Sequence, residues 1–140
     1  MIDQQTGDLI LTPAMRVRAG DSLETVAALR LGELNEVHDM NTGWKWLAAR
    51  NVAVESDYIH FRFGFCHNRL AMVSLAVSRE RTMLAGSWEN WSEHTEKNRL
   101  VEFKHWVHAE VGREGRFSWG TVTASYDEKS ASSGITITYE

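Results

Sequence analysis

Two stretches of the chain alternate between apolar and polar residues, which is the pattern of a β-strand with one buried face. Ile135, Ile137 and Tyr139 alternate with threonines, and residues 117–126 alternate in the same way. The residues between the two runs, 127–134, are small and polar, as in a loop that joins antiparallel strands. The pattern therefore predicts a hairpin at the centre of a sheet.

A second hairpin is predicted in the middle of the chain. Residues 58–66 place four large apolar side chains on one face, namely Ile59, Phe61, Phe63 and Phe65. A turn at 67–69 follows, and residues 70–77 are then largely apolar on both faces. Such a run is typical of a central strand that is covered on both sides.

The first third of the chain predicts shorter elements. Two apolar runs, 8–12 and 15–18, flank the single proline. They favour a short β segment at the start of the chain, formed as an edge strand or a turn. Asp21 or Ser22 can cap a helix over residues 22–30.

Residues 33–42 have no clean period, and we interpret them as an exposed loop or an irregular turn. The apolar residues that return in 44–54 are interrupted at Arg50 and Asn51. This segment predicts either two short strands or one bent strand.

The longest helical pattern covers residues 88–111, with Ser87 as its cap and Gly112 at its end. Its apolar stripe consists of Leu100, Phe103, Trp106, Val107 and Val111. These elements predict a single domain, residues 1–140, of the α+β class. We expect a mainly antiparallel sheet of about six strands, one long helix packed on it and a short N-terminal helix.

Several of these stretches carry a resemblance to a known group of proteins. They are Phe117-Ser118-Trp119-Gly120, the run 126–130, the run 135–139, Gly43-Trp44, and the segments 61–77 and 88–112. Together they resemble small bacterial immunity proteins associated with polymorphic toxins, in contact-dependent inhibition and Rhs-type systems. The resemblance implies a fold and a gene beside a toxin gene, and none of its motifs is a catalytic signature.

Composition narrows the function classes. The chain has 140 residues, a formal charge of −4 and six tryptophans. A negative balance disfavours general nucleic-acid binding, which needs a basic face, and suits a basic protein partner. The first residues lack a signal-peptide pattern, and no apolar run reaches membrane-spanning length, so we expect a cytoplasmic protein that does not associate with membranes.

Few residues suggest catalysis or metal binding. His105 and His108 are three apart on the predicted helix, but a third ligand and an HExxH motif are missing, so we predict no metal site. The single cysteine, Cys66, could form a nucleophilic pair with His60 or His67, and a small buried thiol is the favoured interpretation. We predict no catalytic residue and no cofactor.

The densest acidic groups are Glu33, Glu36, Asp39, Glu55 and Asp57. Paired carboxylates can perform acid–base chemistry, although such clusters usually lie in solvated loops. We interpret these five as a partner-binding surface for a basic toxin domain.

Two functions remain open at the level of the sequence. The favoured one is a non-enzymatic immunity protein that binds a cognate toxin C-terminal domain and neutralises it by stoichiometric occlusion. The alternative is a small-ligand-binding protein or an enzyme, with a pocket between helix and sheet lined by Trp44, Trp46, His60 or His105.

Overall fold

The computed structural model describes residues 1–12, 14–54, 57–78, 93–127 and 132–139. Within these ranges the elements are β1 Leu9–Thr12, β2 Met15–Val17, α1 Leu23–Ala27, β3 Glu33–Asp39, β4 Trp44–Val54, β5 Asp57–Cys66, β6 Arg69–Ser78, α2 Glu93–Val111, β7 Gly115–Phe117, β8 Gly120–Asp127 and β9 Ser132–Tyr139. Seven strands form one antiparallel sheet in the order β3-β4-β5-β6-β9-β8-β7, and β1 pairs with β2. The mainly antiparallel sheet with two helices is confirmed, but the sheet has seven strands instead of about six.

The first correction concerns residues 33–39, which form β3 and not a loop. Val37 lies opposite Leu47 and Asp39 lies opposite Lys45 in the pairing with β4. Side chains 35–40 are all exposed, so this part of the edge strand buries neither face, and the sequence shows no apolar alternation there. The chain then turns at 40–43, where Asn41 and Gly43 have positive φ angles of 57° and 90°.

β4 is one strand with an irregularity, so the bent strand is the correct alternative for 44–54. The register with β5 shifts between Ala49 and Val52, and Asn51 has a φ of 53°. This is the geometry of a β-bulge, which accommodates one additional residue and increases the local twist.

The predicted middle hairpin is confirmed as β5 and β6, and β6 is the central strand of the seven. One face of β6 is fully buried through Val73 and Leu75, while Met72 and Ser74 on the other face are half-buried. The C-terminal hairpin is confirmed as β8 and β9, but the run predicted over 117–126 is divided by a turn at 118–119, which separates β7 from β8. The hairpin lies to one side of the centre, because β6 pairs with both β5 and β9.

One face of the large sheet carries the core. Phe61, Phe63 and Phe65 are at most 1% exposed, and Ile135 and Ile137 are fully buried. α2 packs on β8 and β9, and its buried stripe belongs to the same cluster, with Phe103, Val107 and Val111 buried and Leu100 and Trp106 partly buried.

The helix boundaries follow local signals. The amide of Thr25 donates to Ser22 Oγ over 3.1 Å, so Ser22 caps α1, which is shorter than the predicted 22–30. α2 ends at Gly112, whose positive φ of 83° and bond to the His108 carbonyl terminate the helix as predicted. The described α2 has 19 residues and begins at Glu93, while residues 87–92 of the predicted helix lie outside the described ranges.

In the described part of the chain, no helix combines the length and the apolar character that crossing a bilayer requires.

Candidate partner-binding surface

The sheet face opposite α2 is polar, and we call it the polar face. Because directly paired residues share a face, the registers align two rows of side chains across the sheet. One row contains Glu36, Ala48, Arg62, Ser74, Thr136 and Thr123, and the next contains His38, Trp46, Gly64, Met72, Thr138 and Thr121. Several of these side chains are exposed, including Glu36, His38 and Arg62. The polar face is therefore a surface of the molecule with aromatic, charged and hydroxyl groups side by side.

Two tryptophans, Trp44 and Trp46, stack on this face. The Trp44 and Trp46 ring centroids are 6.1 Å apart with an interplanar angle of 19°, and the Arg62 guanidinium carbon lies 5.1 Å from the Trp46 centroid. This is cation–π geometry. We call Trp44, Trp46, Arg62 and Gly64, which lies beneath the Trp46 ring, the Trp46 cluster.

Gly64 makes the arrangement possible. A Cβ atom at this position would lie 2.9 Å from two carbon atoms of the Trp46 ring. Because glycine has no side chain, the indole can lie flat across β5. The signal in the sequence was the pair Trp44 and Trp46 at strand spacing, but only the register places Arg62 and Gly64 against it.

The three acidic residues of β3 have different surroundings. Glu33 is half-buried, and its carboxylate accepts a 3.0 Å hydrogen bond from the Asn51 side-chain amide, next to the bulge. Glu36 is exposed, with its Oε2 3.6 Å from His38 Nε2. Asp39 is exposed and accepts a 2.9 Å bond from the Asn41 amide in the turn. Glu36 and Asp39 are thus available at the surface, whereas Glu33 supports the fold.

The four predicted acidic residues that the structure describes do not form one patch. Asp39 lies opposite Lys45 and Asp57 lies opposite Val54, so they mark the two ends of β4. At about 3.3 Å per residue this separation is roughly 30 Å. Asp57 is half-buried, and Glu55 lies outside the described residues.

The structure does not assemble the alternative pocket. Trp44, Trp46 and His60 lie on the polar face, whereas α2 packs on the other face, and His105 is exposed on that helix. His60 is half-buried, and its Nδ1 accepts a 3.2 Å hydrogen bond from the Asn51 amide. Burial, followed by the charges of Arg50 and Arg99, lowers the pKa of His60. The imidazole is therefore a neutral acceptor that holds the bulge.

The other candidate groups lie on α2 and along β5. His105 and His108 are both exposed, and His108 Nδ1 lies 3.2 Å from the Gly112 carbonyl. Cys66 is half-buried, and His60 lies six residues away along β5, roughly 20 Å. Across the ranges that the structure describes, no three His, Cys, Asp or Glu side chains are grouped to hold a metal ion.

No family model matches the chain, and no curated protein matches it. A chain from the solved structure of Rhs1-CT in complex with cognate immunity protein RhsI1 has the same fold, with a TM-score of 0.56 and 15% sequence identity. The match covers 99% of this chain and 86% of that chain. The two chains therefore share a fold. This likeness confirms, at the level of the fold, the Rhs-type resemblance that the sequence motifs carry.

Proposed function

We propose that the protein is an immunity protein of a Rhs-type system. It binds a cognate toxin C-terminal domain in the cytoplasm and neutralises it by stoichiometric occlusion, without chemistry of its own. The observation that carries this proposal is the likeness in fold, over nearly the whole chain, to a chain of the Rhs1-CT and RhsI1 complex. The sequence motifs that resemble immunity proteins support it independently.

The contact surface that we propose joins the acidic edge to the polar face. Glu36 and Asp39 supply exposed negative charge at β3, and Trp46 and Arg62 on the polar face supply the residue types that dominate the energy of many protein interfaces. A net charge of −4 favours the approach of a basic domain. Asp57, the first residue of β5, lies roughly 30 Å from Asp39, so we assign it to long-range attraction only.

The test is co-expression with the toxin domain encoded by the adjacent gene. We expect growth to be restored and a one-to-one complex to be isolated, with its stoichiometry measured by light scattering. If the purified proteins form no complex, the proposal is wrong. Growth arrest caused by this chain alone would instead assign it the toxic role of such a pair.

A double variant that removes two negative charges tests the acidic edge. Glu36→Gln with Asp39→Asn removes two charges but keeps oxygen acceptors for His38 and for the Asn41 amide. We expect the association rate to fall by roughly tenfold at low salt and its salt dependence to weaken, because exposed charges mainly steer encounter. Glu102→Gln, on the exposed side of α2, is the matched control. An unchanged association rate in the double variant would exclude this edge from the interface.

The Trp46 cluster needs a separate variant. Trp46→Ala removes the half-buried ring that contacts both Trp44 and Arg62. We expect a loss of affinity of about 30-fold or more with the fold retained, since central aromatic residues typically contribute 2 kcal/mol or more to an interface. Binding within about twofold of the unmodified protein would exclude the polar face.

A further inference from the structure

The large sheet ends in two very different edges. β7 is an edge of only three residues, Gly115–Phe117, whereas β3 is an edge of seven, Glu33–Asp39. Among the strands that the structure describes, β3 pairs only with β4. A long edge strand presents unpaired backbone donors and acceptors, on which another extended segment can be added.

The hydrogen bonds between β3 and β4 identify the backbone groups of β3 that point away from the sheet. The Met40 amide donates to the Trp44 carbonyl over 3.0 Å, so the backbone of Met40 points towards β4. Backbone groups alternate in direction along an antiparallel strand, and those of His38 and Glu36 therefore also point towards β4. Val37 and Asp39 consequently direct their N–H and C=O groups to the outer edge.

The outer edge is accessible and limited in length. Val37 is 52% exposed, and Asp39 is exposed as well. The register shifts between Glu33 and Glu36 at one end, and the turn at Asn41 closes the other. Two N–H and two C=O groups are thus presented in a continuous extended geometry, which suits a short added strand.

The charges on β3 indicate which kind of segment can pair with its outer edge. β3 carries three carboxylates, Glu33, Glu36 and Asp39, and no Lys or Arg. A second copy of this strand would bring three further carboxylates to the same seam, and like charges on paired strands are destabilising. A strand with Lys or Arg opposite Glu36 and an apolar residue opposite Val37 would neutralise the charge and cover the exposed valine.

We propose that an extended, basic segment of the toxin domain adds to β3 as an eighth strand of the large sheet. This inference rests on the proposed function and specifies how the partner is held. Backbone hydrogen bonds at Val37 and Asp39 supply affinity, while Glu36 and Asp39 select basic side chains.

A pair of variants at one position separates backbone pairing from side-chain contact. Val37→Pro removes the outward N–H, and proline is tolerated in edge strands where that group faces away from the sheet. Val37→Ala shortens the side chain but keeps the N–H. We expect Val37→Pro to weaken binding of the toxin domain by roughly tenfold or more, and Val37→Ala by less than about threefold.

Amide hydrogen exchange in the unmodified complex provides a readout that needs no variant. The Val37 and Asp39 amides should exchange at least about tenfold more slowly in the complex. The amide of Thr123, in β8 towards the opposite edge of the sheet, should exchange at the same rate as in the free protein. If the unmodified protein binds the toxin domain but these amides are not slowed, the added strand is wrong and the proposed function stands. If no binding occurs, both are wrong. A homodimer that protects the same amides would identify a second copy as the occupant and would also overturn the inference.

Discussion

The hydroxyl group of Tyr139 donates a hydrogen bond of 2.8 Å to the carbonyl oxygen of Gly7 and so joins β9 to the segment before β1. Trp119 reinforces the junction, because its indole N–H donates to the Gln4 carbonyl over 2.9 Å. Burial, together with the nearby charges of Asp8 and Asp21, raises the pKa of Tyr139. The phenol therefore stays protonated, and remains a hydrogen-bond donor, at pH values where an exposed tyrosine would ionise.

Removing this hydroxyl tests how strongly the two segments are joined. Tyr139→Phe should lower the free energy of unfolding by about 1–2 kcal/mol, because the buried Gly7 carbonyl then loses its partner. Urea titration followed by circular dichroism measures the change. Tyr126→Phe is the control, since the half-buried Tyr126 has no hydrogen bond from its hydroxyl among the described residues. Equal effects of the two substitutions would contradict the prediction.

Substituting Gly64 tests the base of the Trp46 cluster. In Gly64→Ala the new methyl group would lie 2.9 Å from the Trp46 ring and 3.0 Å from Met72 Cγ, so the indole must move. We expect a red shift and quenching of tryptophan fluorescence and weaker binding of the toxin domain, with the fold retained.

Gly134→Ala is the matched control for this change. A Cβ atom there meets only the Leu75 carbonyl at 3.7 Å and Ser74 Oγ at 4.0 Å, which are ordinary contacts. If Gly64→Ala leaves fluorescence and binding like those of the control, the indole does not depend on Gly64.

The Glu114 carboxylate gives a prediction about pH. It accepts a 2.8 Å bond from the Ala124 amide and a 3.3 Å bond from Lys104. The Ala124 bond, partly opposed by burial, lowers the pKa of Glu114. A lowered folded-state pKa stabilises the protein above the unfolded-state pKa, and this stabilisation is lost as the pH falls through the folded-state value.

Glu114→Gln should therefore lower the free energy of unfolding by about 1 kcal/mol near pH 7, a value reduced by solvent screening. The difference from the unmodified protein should shrink as the pH falls through the lowered folded-state pKa of Glu114, because the carboxylate is then protonated in both states. Chemical denaturation across this range measures it. A difference that stays constant with pH would show that the charge is not responsible.

His60 should dominate another part of the pH profile. Burial lowers the pKa of its imidazole, so the folded state resists a proton that the unfolded chain accepts below about pH 6.5. Stability should therefore fall as the pH is lowered through about 6.5, and His60→Gln should flatten this slope. His105→Gln, at an exposed position of α2, should leave the slope unchanged. The same slope in all three proteins would contradict the assignment.

Phe103 tests the packing of α2 on the sheet. The side chain is 3% exposed, and Phe103→Ala should lower the free energy of unfolding by about 3–5 kcal/mol through the cavity it leaves. Val101 lies on the same helix but is 52% exposed, and Val101→Ala should change stability by less than about 0.5 kcal/mol. Thermal melts distinguish the two, and comparable losses would show that α2 is not the cover of β8 and β9.

Local sequence patterns were sufficient to predict the strands and the helix that bury one face. The alternation around Phe61 and Ile135 predicted the two hairpins, the spacing from Phe103 to Val111 predicted α2, and Ser22 and Gly112 predicted helix ends, because each signal lies within a few neighbouring residues. β3 left no such signal. An edge strand with exposed side chains on both faces needs no apolar period, so residues 33–39 resembled a loop.

The sequence by itself therefore determined the class of fold, its principal hairpins and the presence of exposed acidic residues. Only the tertiary structure decided the strand order, the distance that separates Asp39 from Asp57, and the rows that place Glu36 on the same sheet face as Arg62 and Trp46. The physical reason is that strand pairing is a contact between residues far apart in the chain. Register and sheet order depend on the packing of the whole core, which no local period records.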